Sequence, residues 1–224
     1  MSIEEKFSCL IDKHKDRNFL IYCPGKNIRE WLVHVNDFVA QNKLITLGTN
    51  HITDIVIPDY HIFTNNQKYK EYGRSVDKSS ILLLGHINST LIKKYKPRRY
   101  VHVNYTDKGP NESIGYDRNN DVVTGHYRTS GNLSIMLCHL MGGQKIYIAG
   151  MSGFTYKFDG DVHYYKAKIK NERKSKKEWY KKYDKPVIEG LNEIRRYGVD
   201  FAIITPTIYS RYFDSSILEV SGDE

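Results

Sequence analysis

Residues 125–154, GHYRTSGNLSIMLCHLMGGQKIYIAGMSGF, run from a polar loop into the most apolar helix-like stretch of the chain and out along a strand that ends on glycines. The spacing predicts a helix from Thr129 to Gly142, capped by Thr129 or Ser130. The run KIYIAGM that follows has the short, continuous apolar character of a strand buried on both faces. A buried helix feeding such a strand is the repeating unit of a parallel sheet, so the rest of the chain is read for more of them.

They recur on both sides. NFLIYCPG (18–25) reads as a strand closed by a Pro-Gly turn, and NIREWLVHVNDFVAQN (27–42) keeps Ile28, Trp31, Leu32, Val35, Phe38 and Val39 at helical spacing. LITLGTN (44–50), YHIFTN (60–65), SSILLLG (79–85) and RRYVHVNY (98–105) read as strands, with helices at NQKYKEYG (66–73) and NSTLIKKY (88–95). A helix over Lys177–Tyr197 and the strand VDFAIITP (199–206) close the pattern. With 224 residues and no linker-like stretch, the chain is read as one α/β domain over residues 1–224. Its predicted architecture is a Rossmann-like, mainly parallel sheet with helices on both faces; the pattern does not specify the strand order.

The net charge of +8 is uneven. Residues 166–185, KAKIKNERKSKKEWYKKYDK, hold ten Lys or Arg against three acids, whereas the C-terminal DSSILEVSGDE is acidic. Such a segment suits an anionic partner or forms a solvated helix face. No RNA-binding pattern interleaves its cations, so nucleic acid is not expected as a partner. The three cysteines, Cys9, Cys23 and Cys138, have neither disulfide nor metal-ligand spacing. The N-terminus lacks the apolar core of a signal peptide, and no apolar run approaches the ~20 residues that span a bilayer. The expectation is a soluble, cytoplasmic protein, with peripheral membrane contact and homo-oligomerisation both left open.

In such sheets ligands bind beyond the carboxyl ends of the strands. The residues there are Cys23, Pro24, Gly25 and Lys26; Gly48, Thr49 and Asn50; Thr64, Asn65 and Asn66; Asn104; Gly150, Met151 and Ser152; and Thr205 and Pro206. Neither a full GxGxxG nor a GxxxxGK[ST] occurs, which disfavours a standard NAD or Walker-type site. Gly25 permits close backbone approach ahead of a helix N-terminus. Thr129, Ser130 and Gly131 open the apolar helix, where free N–H groups favour a phosphate or carboxylate, with Arg128 and His126 close by in sequence as further donors.

The stretch RTSGNLSIMLCHLMGGQKIYIAGMSGF resembles the central motif of the glycosyltransferase family 42 sialyltransferases, in which a Thr-Ser-Gly turn opens an apolar helix followed by a strand. YCPGKNIREW, LGTN and YGVDFAIITPTIYSRYF resemble that family's first turn, second strand and closing strand, with Cys23 where the family places Asn. The resemblance implies a metal-independent enzyme of bacterial surface-polysaccharide biosynthesis. It would move a sugar from a nucleotide sugar, in this family a CMP-sugar, to a glycan acceptor. Asn50, Thr129, Ser130 and Gly131 would hold the nucleotide, in company with Gly25, Lys26, Asn65, Arg128 and Ser152. Tyr156 and Tyr164 or Tyr165 would supply hydroxyls to the leaving phosphate.

The family's histidine base precedes its last helix; Lys176–Tyr183 has none, and His163, earlier than that pattern expects, is the candidate for the role. A mobile lid over residues 154–185 is expected to carry it. The architecture is also similar to that of the 6-hydroxymethylpterin diphosphokinase-like family, which uses ATP and magnesium. Its strand-end carboxylate is replaced here by Ser152. A nucleic-acid-binding module, disfavoured by the lack of an RNA-binding pattern, and a nucleotide-binding module without catalysis are the third and fourth readings.

Overall fold

A computed structural model describes residues 3–109, 112–165 and 177–218. β1 (Ile3–Lys6) precedes β2 (Arg17–Tyr22), α1 (Ile28–Asn42), β3 (Ile45–Thr49), β4 (Tyr60–Phe63), α2 (Asn66–Tyr72), β5 (Ile81–Gly85) and α3 (Ser89–Tyr95). Then come β6 (Arg99–Asp107), β7 (Gly115–Asp117), β8 (Val122–Gly125), α4 (Ser130–Leu140), β9 (Gly143–Ala149), α5 (Lys177–Arg196) and β10 (Phe201–Ile203). The strands form one sheet in the order β10-β9-β2-β3-β4-β5-β6-β8-β7, with β1 paired to the first half of β6. Every pairing is parallel except β7 with β8. The Rossmann-like α/β architecture read from the sequence is the one observed.

Period-two alternation sorts each central strand between two apolar layers. Phe19 and Ile21 of β2 and Leu83 of β5 join the core beneath α4 and α5. Leu20 and Tyr22 face α1, while Leu82 and Leu84 face α2 and α3. α4 is buried along almost its whole length, from Ser130 to Cys138, which explains why its sequence is apolar all round. No helix among the described residues is long and apolar enough to cross a membrane.

Three elements were absent from the sequence reading. β1 is the polar segment IEEK, and the β7–β8 hairpin turns on Asp117, whose Oδ1 accepts from the Asn119 and Asn120 N–H groups at 2.9 and 3.2 Å. Both lie toward the edge, where neither needs the continuous apolar run that marks a buried strand.

The topology fixes where a site can form. The chain walks from β2 outward to β6, then returns to place β9 and β10 on the other flank of β2. The order therefore reverses between β2 and β9, and a crevice opens beyond their carboxyl ends.

Candidate functional site

At this switch point the two strand-end loops are bonded to each other. Cys23 N–H donates to the Ala149 carbonyl, and Gly25 N–H to the Gly150 carbonyl, both at 2.8 Å; Lys26 N–H donates to Ser152 Oγ at 3.1 Å. A Cβ on Gly25 would lie 2.0 Å from Gly150 O, and one on Gly150, whose φ is +75°, would lie 2.0 Å from Cys23 O. The space that a side chain would need at Gly25 is filled by β9's loop. Its glycine is required by the close packing of two chain segments.

The opposite wall is the first turn of α4. Thr129 Oγ1 accepts from Asn132 N–H at 3.2 Å and donates to Asn132 Oδ1 at 2.7 Å, and Asn132 Nδ2 in turn donates to the Val187 carbonyl of α5. This cap fixes the helix start, leaving the Ser130 and Gly131 N–H groups without intrahelical acceptors at the positive end of the dipole. Ser130 Oγ shares a 2.6 Å hydrogen bond with Thr64 Oγ1 and receives Asn50 Nδ2 at 3.4 Å.

Asn50 adopts a left-handed backbone, φ +53°. Its carbonyl accepts from Nε2 of the fully buried His61 at 2.6 Å, and its N–H donates to the Ile62 carbonyl. Burial lowers the His61 pKa from 6.5 to about 4, against the raising effect of the Asn50 bond, so the ring is neutral with its proton on Nε2. Asn50 Oδ1 is buried and has no hydrogen-bond partner. An unanswered carboxamide oxygen costs about 1–3 kcal/mol. A ligand donor would recover it.

Between these walls lies a cavity of about 300 Å³, at the lower end of the range for small-molecule sites. Its lining combines polar residues, Thr49, Asn50, Thr64, Asn65 and Lys68 among them, with the apolar or aromatic Met151, Phe154, Val187 and Tyr209. Lys68 and Arg128 are its cations, and no Asp or Glu lines it among the described residues. The Arg128 guanidinium is exposed and sits 5.1 Å from the Tyr183 ring centre on α5, while Lys68 approaches Glu71 at 3.7 Å. The Cys23 thiol is buried in the wall and pushed up to about 12, which makes it inert.

Of the residues expected at a site, Gly25, Asn50, Asn65, Arg128, Thr129, Ser130, Gly131, Ser152 and His163 converge on the cavity. Lys26, Tyr156 and Tyr164 do not. Lys26 Nζ pairs with Asp159 and donates to the Lys157 carbonyl. Tyr164 donates its hydroxyl to Asp54 and to the His51 carbonyl, and the Arg29 guanidinium covers its ring at 4.8 Å. Burial and the Asp54 carboxylate both raise the Tyr164 pKa. Asn65 faces the cavity, but its Oδ1 is engaged in capping α2 through Gln67 and Lys68 N–H.

The segment expected as a single lid divides into parts. Residues 154–165 form a strap across the β2–α1 turn. Gly25 bridges to His163, Tyr164 N–H donates to the Pro24 carbonyl at 3.3 Å, and His163 Nδ1 lies 3.2 Å from the same oxygen. Residues 166–176, most of the lysine-rich stretch, lie outside the described residues, and 177–185 begin α5. Asp184 of α5 is buried and locks the strap from behind. It accepts from Phe154 N–H, Thr155 Oγ1 and Tyr209 OH, each at 2.8 Å.

Lys68, Phe154, Val187 and Tyr209 were missed as lining residues, as was His61 beneath Asn50. Lys68 carried a signal, since it follows the Asn65 cap by three residues and so shares its end of the helix. Val187 and Tyr209 reach the cavity only through the packing of α5 and the C-terminal segment, which sequence spacing does not encode. No protein-family model matches the chain, and comparison with curated proteins gives no match.

Proposed function

We propose that this chain is a metal-independent glycosyltransferase of bacterial surface-polysaccharide assembly, drawing its sugar from a nucleotide sugar, a CMP-sugar first among them. One observation carries the reading. The switch-point cavity brings the first turn of α4 and two cations together with amide and hydroxyl groups, with no carboxylate among its described lining residues. That chemistry suits a phosphate ester held by protein donors.

In this reading the Ser130 and Gly131 N–H groups and Arg128 face the phosphate, and Asn50 and Thr64 hold the nucleoside. His163 is the histidine on the cavity wall. With Nδ1–H directed at Pro24 O, its Nε2 carries the lone pair that a base needs. The acceptor oxygen bonds to the anomeric carbon, the bond from that carbon to the phosphate oxygen breaks, the nucleotide leaves, and the acceptor proton passes to Nε2. The leaving-group role first given to Tyr156 and Tyr164 passes to Arg128 and the α4 turn, because neither tyrosine lines the cavity.

The test is a thermal-shift panel of CMP, CDP, UDP, GDP, ADP and ATP with and without magnesium, followed by an assay of nucleotide release from matched sugar donors. A ligand that binds the folded state alone raises the melting temperature with concentration. CMP or CDP should do so without metal, and Asn50→Ala or Ser130→Ala should abolish the effect. A shift confined to ATP with magnesium would replace the reading with diphosphate transfer. Nucleotide binding with no product from any donor and acceptor pair would leave a binding module, and silence across the panel would remove the nucleotide reading altogether.

A further inference from the structure

The basic segment at 166–185 is not the chain's only concentration of positive charge. Residues 66–99 carry nine Lys or Arg against Glu71 and Asp77 alone. This stretch holds α2, β5 and α3, and the two helices lie side by side on one face of the sheet, over Phe63, Tyr69, Leu82, Leu84 and Tyr100. Tyr95 of α3 donates its hydroxyl to the Lys70 carbonyl of α2 at 2.8 Å, and the Arg74 guanidinium covers the same ring at 4.7 Å. The pair therefore presents one continuous outer surface.

Lys70, Lys93 and Lys94 are exposed on the two helices, and Arg74, Lys78, Lys96 and Arg98 are exposed on the segments that directly follow them. None of the seven is in an ion pair among the described residues, whereas Lys68 approaches Glu71 and Arg99 pairs with Glu5. Like charges gathered without counter-charges repel one another and weaken the fold. An anionic partner relieves that repulsion.

We propose that the outer face of α2 and α3 is a docking surface for a bilayer containing acidic lipids. Five of the seven cations are lysines, compact point charges suited to a diffuse anionic plane; planar, bidentate recognition is the province of arginine. Single-stranded nucleic acid would need exposed aromatic rings for its bases, and here Tyr69 and Tyr72 are buried while Tyr95 lies under Arg74. The exposed aliphatic residues Ile3, Val33, Ile57, Ile188 and Ile208 lie outside α2 and α3, so the contact is electrostatic adsorption without insertion. Asn65 and Lys68, at the start of α2, line the cavity, so a bilayer held by this face lies beside the cavity's rim.

The experiment is flotation of the full chain with phosphatidylcholine vesicles, with and without phosphatidylglycerol, over a series of salt concentrations. Wild type should float with the acidic vesicles only, and salt should release it. Each cation near an acidic surface is worth about fivefold in partitioning, so Lys70→Gln/Lys93→Gln/Lys94→Gln should lose on the order of 100-fold. These residues are exposed and outside the cavity, so the triple variant should melt at or above the wild-type temperature and keep any nucleotide response. Lys174→Gln/Lys176→Gln/Lys177→Gln should retain flotation. Equal flotation with neutral vesicles would overturn the proposal. So would undiminished binding by the first triple variant, or loss in the second alone. Patch-dependent retention of single-stranded RNA in place of vesicles would transfer the surface to nucleic acid. Failure of the nucleotide panel would leave this result untouched.

Discussion

Acid should loosen the cavity floor through His61, which is fully buried in β4 with Nε2–H committed to the Asn50 carbonyl. Its second nitrogen, Nδ1, is buried and unpartnered, so a proton added there would be a desolvated charge with nothing to receive it. The folded-state pKa is accordingly depressed from 6.5 to about 4. Between those values the unfolded chain binds this proton and the folded one does not, so stability is complete above about 6.5 and falls as pH drops toward 4. A shift of this size corresponds to about 3 kcal/mol at the acid end of the window.

His14 and His139 are also depressed by burial and contribute in the same direction, so the measurement must isolate His61 by difference. His61→Gln keeps an N–H donor for Asn50 but has no proton to gain. Urea unfolding of both proteins across the window should give curves that converge toward acid, the variant losing about 3 kcal/mol less than wild type over the interval. Parallel curves would refute the reasoning, as would an NMR titration placing the His61 midpoint at its ordinary value.

Two further changes test the site's construction. Gly25→Ala places a methyl group 2.0 Å from Gly150 O and 2.5 Å from Ser152 Oγ, where backbone must move, and should cost about 3 kcal/mol in urea unfolding. Gly160→Ala meets nothing within 4 Å and carries only the strain of its φ of +109°, about 1 kcal/mol; equal losses at the two positions would disprove the tight crossing at the switch point. Asp184→Asn leaves three donors competing for one oxygen, and should cost about 2 kcal/mol with loss of the near-UV signal of Tyr209. A change within about 0.5 kcal/mol would show that the Asp184 network does not hold the strap.

The central strands were legible because burial on both faces forces continuous apolar runs such as ILLLG and KIYIA, and helix α1 because its one-sided burial forces spacing. The strand-end residues that form the cavity followed from that periodicity alone. β1 and the β7–β8 hairpin did not, since edge pairing draws on backbone hydrogen bonds that any sequence supplies. Strand order, and with it the switch point, depends on which buried surfaces meet. Tyr164 shows a different limit. A hydroxyl two residues from the cavity residue Val162 points to Asp54, and only the path of the strap decides which neighbour enters the site.

The missing glycine fingerprint is explained by what the first turn does instead. In a dinucleotide fold the glycines after the first strand let a pyrophosphate approach the following helix. Here Gly25 is packed against Gly150, Lys26 N–H is bonded to Ser152, and Lys26 Nζ is tied to the strap, so that turn is committed to holding the protein together. The positive helix end that remains at the cavity belongs to α4, on the far side of the sheet from α1. In the proposed reading the anion therefore falls to the Thr129–Gly131 turn, while Thr129's own hydroxyl is used up in capping. Ser130 is the hydroxyl in that turn that faces both Asn50 and Thr64, which is why its replacement by alanine should remove a ligand response that Thr129→Ala would lose only through a frayed helix.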